Sequence, residues 1–272
     1  MLVEGDHIML HAMDWEQDHL RLADVHCTAE AGWSDDEVVG RLGIVFVRRG
    51  HFRRRVRGME ALVDAGSWYL QRPGTVERFY HPGDVDVCLS ISWSEPLYEM
   101  LGEPQDAWPR TPQPTPAEWL PHLAAIMRQI HEPADAFDAS EHILRAVGSA
   151  TNRLPSPQTA RTPAQAQDLV DRARELLCEG TCTTLWELAR QLQVSPYVLS
   201  RTFQAVAGLS VTRYRRRLRL HHARYLVEEG WADLAQVAAE VGFADQAHFT
   251  RAMQAEWQIT PAILRQRVRG GS

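Results

Sequence analysis

The chain has 272 residues, 44% apolar and 24% charged, an ordinary globular composition with room for two packed domains. No apolar run reaches 18 residues, and Glu4 and Asp6 stand where a signal peptide would be basic, so a soluble, cytoplasmic protein with no membrane contact is expected. The net charge of −6 is unevenly spread: residues 1–160 hold 14 Arg against 24 Asp and Glu (−10), and residues 161–272 hold 15 Arg against 11 acids (+4), which points the C-terminal part at a polyanion.

All 29 basic residues are Arg, in the acidic half as much as in the basic one, so the absence of Lys reads as a compositional bias without functional meaning. Cys27, Cys88, Cys178 and Cys182 are too few and too scattered for a disulfide scaffold or a paired zinc motif.

In chain order, residues 1–40 mix Trp15, Trp33, four His and many acids without a clear period, and read as an arm. His7 and His11 have the spacing of a metal pair on a helix, but solvated histidines account for them better, and no metal is assigned.

From Arg41 to Trp93 short strands are expected: Ile44 to Val47, Phe52 to Val56, Ala61 to Val63, Trp68 to Leu70, Val76 to Tyr80 and Val85 to Trp93. They are punctuated by Gly50, Gly58, Gly66, Pro73-Gly74 and Pro82-Gly83. Six strands with turns this close suggest a small barrel or jelly roll. A cavity in it would suit an organic molecule, and Trp68, Arg78, Tyr80 and Trp93 are the candidate lining; plain core packing explains the same aromatics equally well. Cys88 on a strand, and Cys178 with Cys182 near the end of a helix, leave a thiol sensor open beside the simpler reading of small buried hydrophobes.

Pro104 to Pro116 is a Pro-rich connector. Trp119, Leu123, Ile126, Met127 and Ile130 then give one amphipathic helix, and Phe137, Ile143, Leu144 and Val147 a second. These helices, within 115–153, offer an apolar face for a homodimer; the alternative is that they pack on their own barrel. Leu154 to Pro163, with three Pro, is a linker, so the expected boundaries are 1–153, 154–163 and 164–272.

The C-terminal part carries one pattern twice. Leu188-Ala189 and Val237-Ala238 open the two copies; after a turn that gains one residue, Ser195, Leu199, Arg201 and Phe203 fall fifty residues before Asp245, Phe249, Arg251 and Met253. Each copy has helix, turn, helix grammar: Thr184 and Glu187 have capping-box spacing, Ser195-Pro196 caps and starts a helix, and Asp245 caps its counterpart. Leu199 and Phe203 face inward, leaving Tyr197, Ser200, Arg201 and Gln204 outward; in the second copy Ala247, Thr250, Arg251 and Gln254 point out. Such a row suits the major groove, where Arg reads guanine and Gln reads adenine. Between the copies, Arg213, Arg215, Arg216, Arg217, Arg219 and Arg224 lie on a stretch from Val211 to Glu229 free of Pro and Gly, expected as one long helix that would space two readers for adjacent grooves.

Leu188-Ala189, Leu192, Val194-Ser195-Pro196, Leu199-Ser200-Arg201 and Phe203, then Gly208, Ser210, Tyr214, Arg219-Leu220 and Ala223, resemble the first half of the DNA-binding domain of the AraC/XylS family. Gly242-Phe243, Asp245, Phe249, Arg251, Thr260-Pro261 and Arg265 resemble the second half. Ala247, Met253 and Gln258 depart from the family's usual Ser, Phe and Gly.

The resemblance covers about the last hundred residues. It implies base reading by Tyr197, Ser200 and Arg201 in the first unit and by Gln246, His248, Thr250 and Arg251 in the second, with double-stranded DNA and RNA polymerase as partners. It also makes the strand region similar to the cupin-type sensing domain of many family members. Enzymatic cupins need a His-x-His pair; His51 has no such partner and Glu77 stands near the expected later His, so a metal-dependent enzyme is disfavoured and no cofactor is expected. The expected fold is thus α+β and multidomain: a cupin-like β-barrel with following helices, then an all-α domain of two helix-turn-helix units joined by a linker helix. The expected function is a non-enzymatic transcription regulator, an activator under a small-molecule effector; a ligand-independent or thiol-responsive regulator whose barrel only dimerises is the alternative.

Overall fold

The computed structural model describes residues 9–17, 20–28, 30–83, 85–94, 109, 111–131, 164–182, 184–231 and 233–268. Eleven strands are formed among these: β1 (Met9–Gln17), β2 (Leu20–Cys27), β3 (Gly32–Trp33), β4 (Glu37–Val38), β5 (Leu42–Arg49), β6 (His51–Val56), β7 (Met59–Asp64), β8 (Ser67–Gln71), β9 (Val76–His81), β10 (Asp86–Trp93) and β11 (Gln113–Pro114). The six expected strands are β5 to β10. The expected arm is a correction: Met9–Gln17 and Leu20–Cys27 form β1 and β2, integral to the first sheet.

Both sheets are antiparallel. One has the order β1-β2-β10-β5-β8-β11, the other β3-β9-β6-β7 with β4 also on β9. Val45, Val47, Tyr69 and Cys88 of the first sheet meet Phe52, Val63 and Phe79 of the second in one cluster, so the sheets face each other as a sandwich. Hairpin chemistry follows the residues: Arg57-Gly58, both at positive φ, makes the two-residue turn that joins Val56 to Met59.

The outer face of the first sheet is covered as well. Leu22, Ile44, Phe46, Leu89, Ile91 and Trp93 belong to a second, larger cluster with Trp119 and a helix α1 (Leu120–His131). This is why β5 is buried along seven of its eight residues and reads as a continuous apolar run. Leu120, Leu123, Ala124, Ile126, Met127 and Ile130 are all at most 5% exposed. The stripe expected to serve a dimer is therefore spent on its own chain for this helix; Phe137, Ile143, Leu144 and Val147 lie outside the described residues.

Among the described residues seven further helices follow: α2 (Ala164–Cys178), α3 (Leu185–Gln191), α4 (Pro196–Ala207), α5 (Val211–Glu228), α6 (Leu234–Glu240), α7 (Gln246–Trp257) and α8 (Pro261–Val268). Helix α5 is the single helix expected from the run without Pro and Gly. The chain divides into two compact units within it: residues 158–219 form one, and residues 220–272 group with residues 1–157. Among the described residues, no helix is long and apolar enough to cross a membrane.

Candidate nucleic-acid interface

In the compact unit of residues 158–219, Thr184 accepts from the Glu187 amide while the Glu187 carboxylate accepts from the Thr184 amide, closing the expected capping box on α3. The turn to α4 runs through Gln193 at φ 57, with the Val194 amide donating to the Ala189 carbonyl. Ser195 caps α4 by accepting from the Val198 amide, Pro196 takes the first helical position, and Gly208 at φ 71 ends the helix. Leu188, Leu199 and Phe203 are fully buried, and Phe203 lies edge-on to Tyr214 at 5.3 Å. Helix α4 is thereby pinned by its inner face, and Tyr197, Ser200, Arg201 and Gln204 are all exposed on the other.

The second copy repeats this geometry with different residues. Asp233 caps α6, and the Phe243 amide donates to the Ala238 carbonyl as Val194 does to Ala189. Gly242, at φ 79, holds the left-handed place of Gln193. The additional residue of this turn is Ala244, after which Asp245 caps α7 by accepting from the His248 amide. Phe249 and Met253 are fully buried, so Met253 fills the core position of Phe203. Gln246, Ala247, His248, Arg251 and Gln254 are exposed and Thr250 is half-buried. His248 also lies edge-on to Phe243 at 5.2 Å, which orients its ring. On α4 the four expected side chains share the outward face; on α7 Thr250 and Arg251 lie towards the outward face, while Gln246 and His248, two residues apart, project from different sides of the helix.

The arginine run is not uniform. Arg213 and Arg216 are exposed, and Arg215, Arg217 and Arg219 are half-buried along α5. Burial lowers the pKa of Arg219, and the Arg215 charge adds to this. Arg224 is a correction: it is 2% exposed, with Nε 3.5 Å from Glu228, and belongs to the packing of its own unit rather than to a phosphate-facing row.

That packing centres on Arg48, on the outer face of β5 and 2% exposed. Its Nη1 donates to Asp24 on β2 at 2.6 Å, and its Nη2 lies 3.2 Å from both Glu228 and Glu229 at the end of α5. Burial alone would lower the Arg48 pKa; the nearby carboxylates of Glu228 and Asp24 outweigh it and raise the value. The guanidinium also stands 5.3 Å from the Tyr225 ring. Beside it, a Cβ on Gly66 would come within 2.2 Å of the His221 imidazole, so only glycine allows the β7–β8 turn this close to α5. The sandwich and the second helix-turn-helix share one core.

The candidate effector residues are placed apart. Trp68 and Trp93 point out of the first sheet into the cluster with Trp119, away from the second sheet. Arg78 and Tyr80 alternate along β9 with the buried Glu77, Phe79 and His81; Arg78 donates to the Ser34 carbonyl at 2.9 Å and Tyr80 packs against Trp33. The four do not line one cavity. What the sequence reading missed is the inter-sheet interior. There Arg54 makes a bidentate pair with the fully buried Glu77 and stands 4.3 Å from the Tyr69 ring, so the carboxylate near the expected metal position is taken by a guanidinium.

Among the described residues one group of three metal-type donors exists, Cys27, His81 and Asp86, with ligand atoms all within 4.8 Å. His7 lies outside the described residues and His11 is on β1, so the spacing of a helical pair does not apply to them. All four cysteines are free thiols, with Cys178 half-buried and Cys182 buried among the reader's core residues.

A family model described as a helix-turn-helix domain matches residues 188–267. Over 245 residues, 82% of this chain and 84% of the relative, the sequence is 32% identical to the HTH-type transcriptional activator RhaS of Salmonella schwarzengrund (strain CVM19633). The chain belongs to the AraC family of transcription regulators. A second member, the HTH-type transcriptional activator RhaR of Salmonella arizonae (strain ATCC BAA-731 / CDC346-86 / RSK2980), is 23% identical over 55% of this chain and 59% of its own length. Solved structures similar to the chain include the AraC-like transcriptional activator CuxR (14% identity, 76% of this chain and 78% of that one, TM-score 0.42). Another is ToxT of Vibrio cholerae strain SCE256 with unsaturated fatty acid bound (10% identity, 95% and 99%, TM-score 0.38).

Proposed function

We propose that this AraC-family member is a cytoplasmic, sequence-specific activator of transcription that reads duplex DNA with α4 and α7 as two half-sites. The observation that carries this is the pair of helices whose outer sides carry Tyr197, Ser200, Arg201 and Gln204 on one and Gln246, His248, Thr250 and Arg251 on the other, all exposed except the half-buried Thr250, and each fixed from behind by a buried core. Residues 164–272 are the reading module, RNA polymerase is the partner through which bound protein activates, and a homodimer would double the half-sites engaged.

A small organic effector is proposed to enter between the sheets, where Phe52, Tyr69 and Phe79 supply apolar walls and Arg54 and Glu77 a polar handle. The sheet it displaces carries Asp24 and Arg48 on its far side, joined to Glu228 at the end of α5. Displacement there biases the second reader, and so selects which half-site pairs are bound. The test is selection of bound sequences from a random duplex pool with the full-length protein, followed by affinity at two salt concentrations. A recovered motif with contacts about 10 base pairs apart and a steep loss of affinity with salt supports the reading. No enrichment by the full chain at either salt concentration overturns it.

A further inference from the structure

Three side chains converge at one end of the sandwich. Cys27 closes β2, Asp86 opens β10 directly opposite it in register, and His81 closes β9 of the facing sheet. The Asp86 carboxylate lies 2.7 Å from His81 Nδ1, and His81 Nε2 lies 3.7 Å from Cys27 Sγ. The order is thiol, imidazole, carboxylate, with the carboxylate fixing the ring so that Nε2 faces the sulfur. All three are at most 9% exposed, and Cys27, at a strand end, keeps the largest opening to solvent of the three.

We propose that Cys27, His81 and Asp86 form a reactive-thiol site at the rim of the sandwich, which captures small α,β-unsaturated carbonyl compounds as covalent thioethers. His81 takes the thiol proton, and the thiolate sulfur forms a bond to the β-carbon of the electrophile. The carbon–carbon π pair moves to the α-carbon, which receives the proton from His81 Nε2. One S–H and one C=C are consumed, and no oxidant or reductant is needed. The ring is suited to both halves of this exchange: burial disfavours its charge, but the hydrogen bond it donates to Asp86 and its contact with Cys27 outweigh that and raise its pKa to about 10.

A carbon electrophile fits better than a disulfide partner. Cys88 is diagonal to Cys27 across β2 and β10, a spacing of about 7–8 Å between backbones that a disulfide does not span unstrained. Burial also pushes the Cys88 thiol well up, with the Asp86 charge adding to it, so it is no second nucleophile. The Phe52 ring lies 5.8 Å from His81, so the imidazole is bounded by apolar core on that side. A metal centre is the competing use of these donors, but Asp86 occupies His81 Nδ1, which leaves Cys27 and His81 Nε2 as the direct ligands where three or four are needed.

The inference rests on the effector reading above and gives it a chemical class, but its test uses no DNA, so its failure is distinct from failure of the reader assignment. Full-length protein is treated with substoichiometric N-ethylmaleimide at neutral pH, and the order of modification is mapped by mass spectrometry. Cys27 is expected to label before Cys178, although Cys178 is the more exposed of the two. Asp86→Asn, checked for folding by circular dichroism, is expected to slow Cys27 by about tenfold or more, the scale of losing an oriented general base. The wild-type order decides alone if that variant does not fold. Slower labelling of Cys27 than of Cys178 overturns the proposal. So does stoichiometric zinc or iron in the purified protein that must be chelated before Cys27 reacts.

Discussion

The two helix-turn-helix copies have the same backbone plan and different attachments. The first closes on its own core of Val170, Ala173, Leu188, Leu199 and Phe203, inside a compact unit of residues 158–219. The second shares a cluster with the outer face of the first sheet, and the helix leading into it is held by Arg48. One motif therefore packs within its own compact unit, and its repeat shares a core with the sandwich. A signal that deforms the sandwich has a physical route to α7 through shared packing. The first unit contains no residue of the sandwich.

The change that tests this contrast with the largest expected effect is at Arg48. Arg48→Ala leaves Asp24 and Glu228 buried with their shared cation gone, and removing one member of a buried ionic group costs about 3–5 kcal/mol. Denaturant unfolding of the full chain, followed separately at sandwich and first-reader probes, is expected to show the loss in the unit that holds the sandwich. An equal loss at the first reader would remove the distinction between the copies. Arg48→Met, which fills the space but removes the charge that faces both Asp24 and Glu228, is expected to recover little of it.

These attachments were only partly legible in the amino-acid sequence. The six strands from β5 to β10 were, because Gly50, Gly58, Gly66 and the Pro-Gly pairs sit at their ends. Strands β1 and β2 were not: Leu20, Leu22 and Asp24 lie on one face of β2 and Ala23, Val25 and Cys27 on the other, and since both faces are covered no period of two survives. The same double covering misassigned Trp68 and Trp93, whose apolar character says that they are inside but not which side of the sheet is inside. Arg224 belongs to the same spacing pattern as its neighbours; its partner Glu228 is one turn along the same helix, and it is Arg48 of β5, facing Glu228 from another element, that makes the position structural. The readers were legible in detail because caps, turn residues and inner stripe are all local signals.

On DNA, Arg201→Ala and Arg251→Ala are each expected to cost about 1–3 kcal/mol at the selected site and to relax preference at one base position. Quantitative binding of both variants, with and without an effector or an adduct at Cys27, sharpens the contrast. The penalty of Arg251→Ala is expected to change between the two conditions and that of Arg201→Ala to stay constant. A reversed result would place the signal on the first reader.

The smallest expected effect lies where the copies meet one backbone requirement with different residues. Helix α4 ends on Gly208 at φ 71, and α7 ends on Gln258 at φ 58, each amide donating to the carbonyl four residues back. Left-handed backbone costs an ordinary L-residue about 1–2 kcal/mol, part of which glycine returns through the greater freedom of its unfolded chain. Gln258→Gly is therefore expected to stabilise the chain by several tenths of a kcal/mol to about 1, and Gly208→Gln to destabilise it by a similar amount. Thermal unfolding of the two variants compares the caps directly. Because Trp257 and Ile259 flank Gln258 in the core shared with the sandwich, the gain at Gln258→Gly should appear in the sandwich transition, and the loss at Gly208→Gln in that of the first reader.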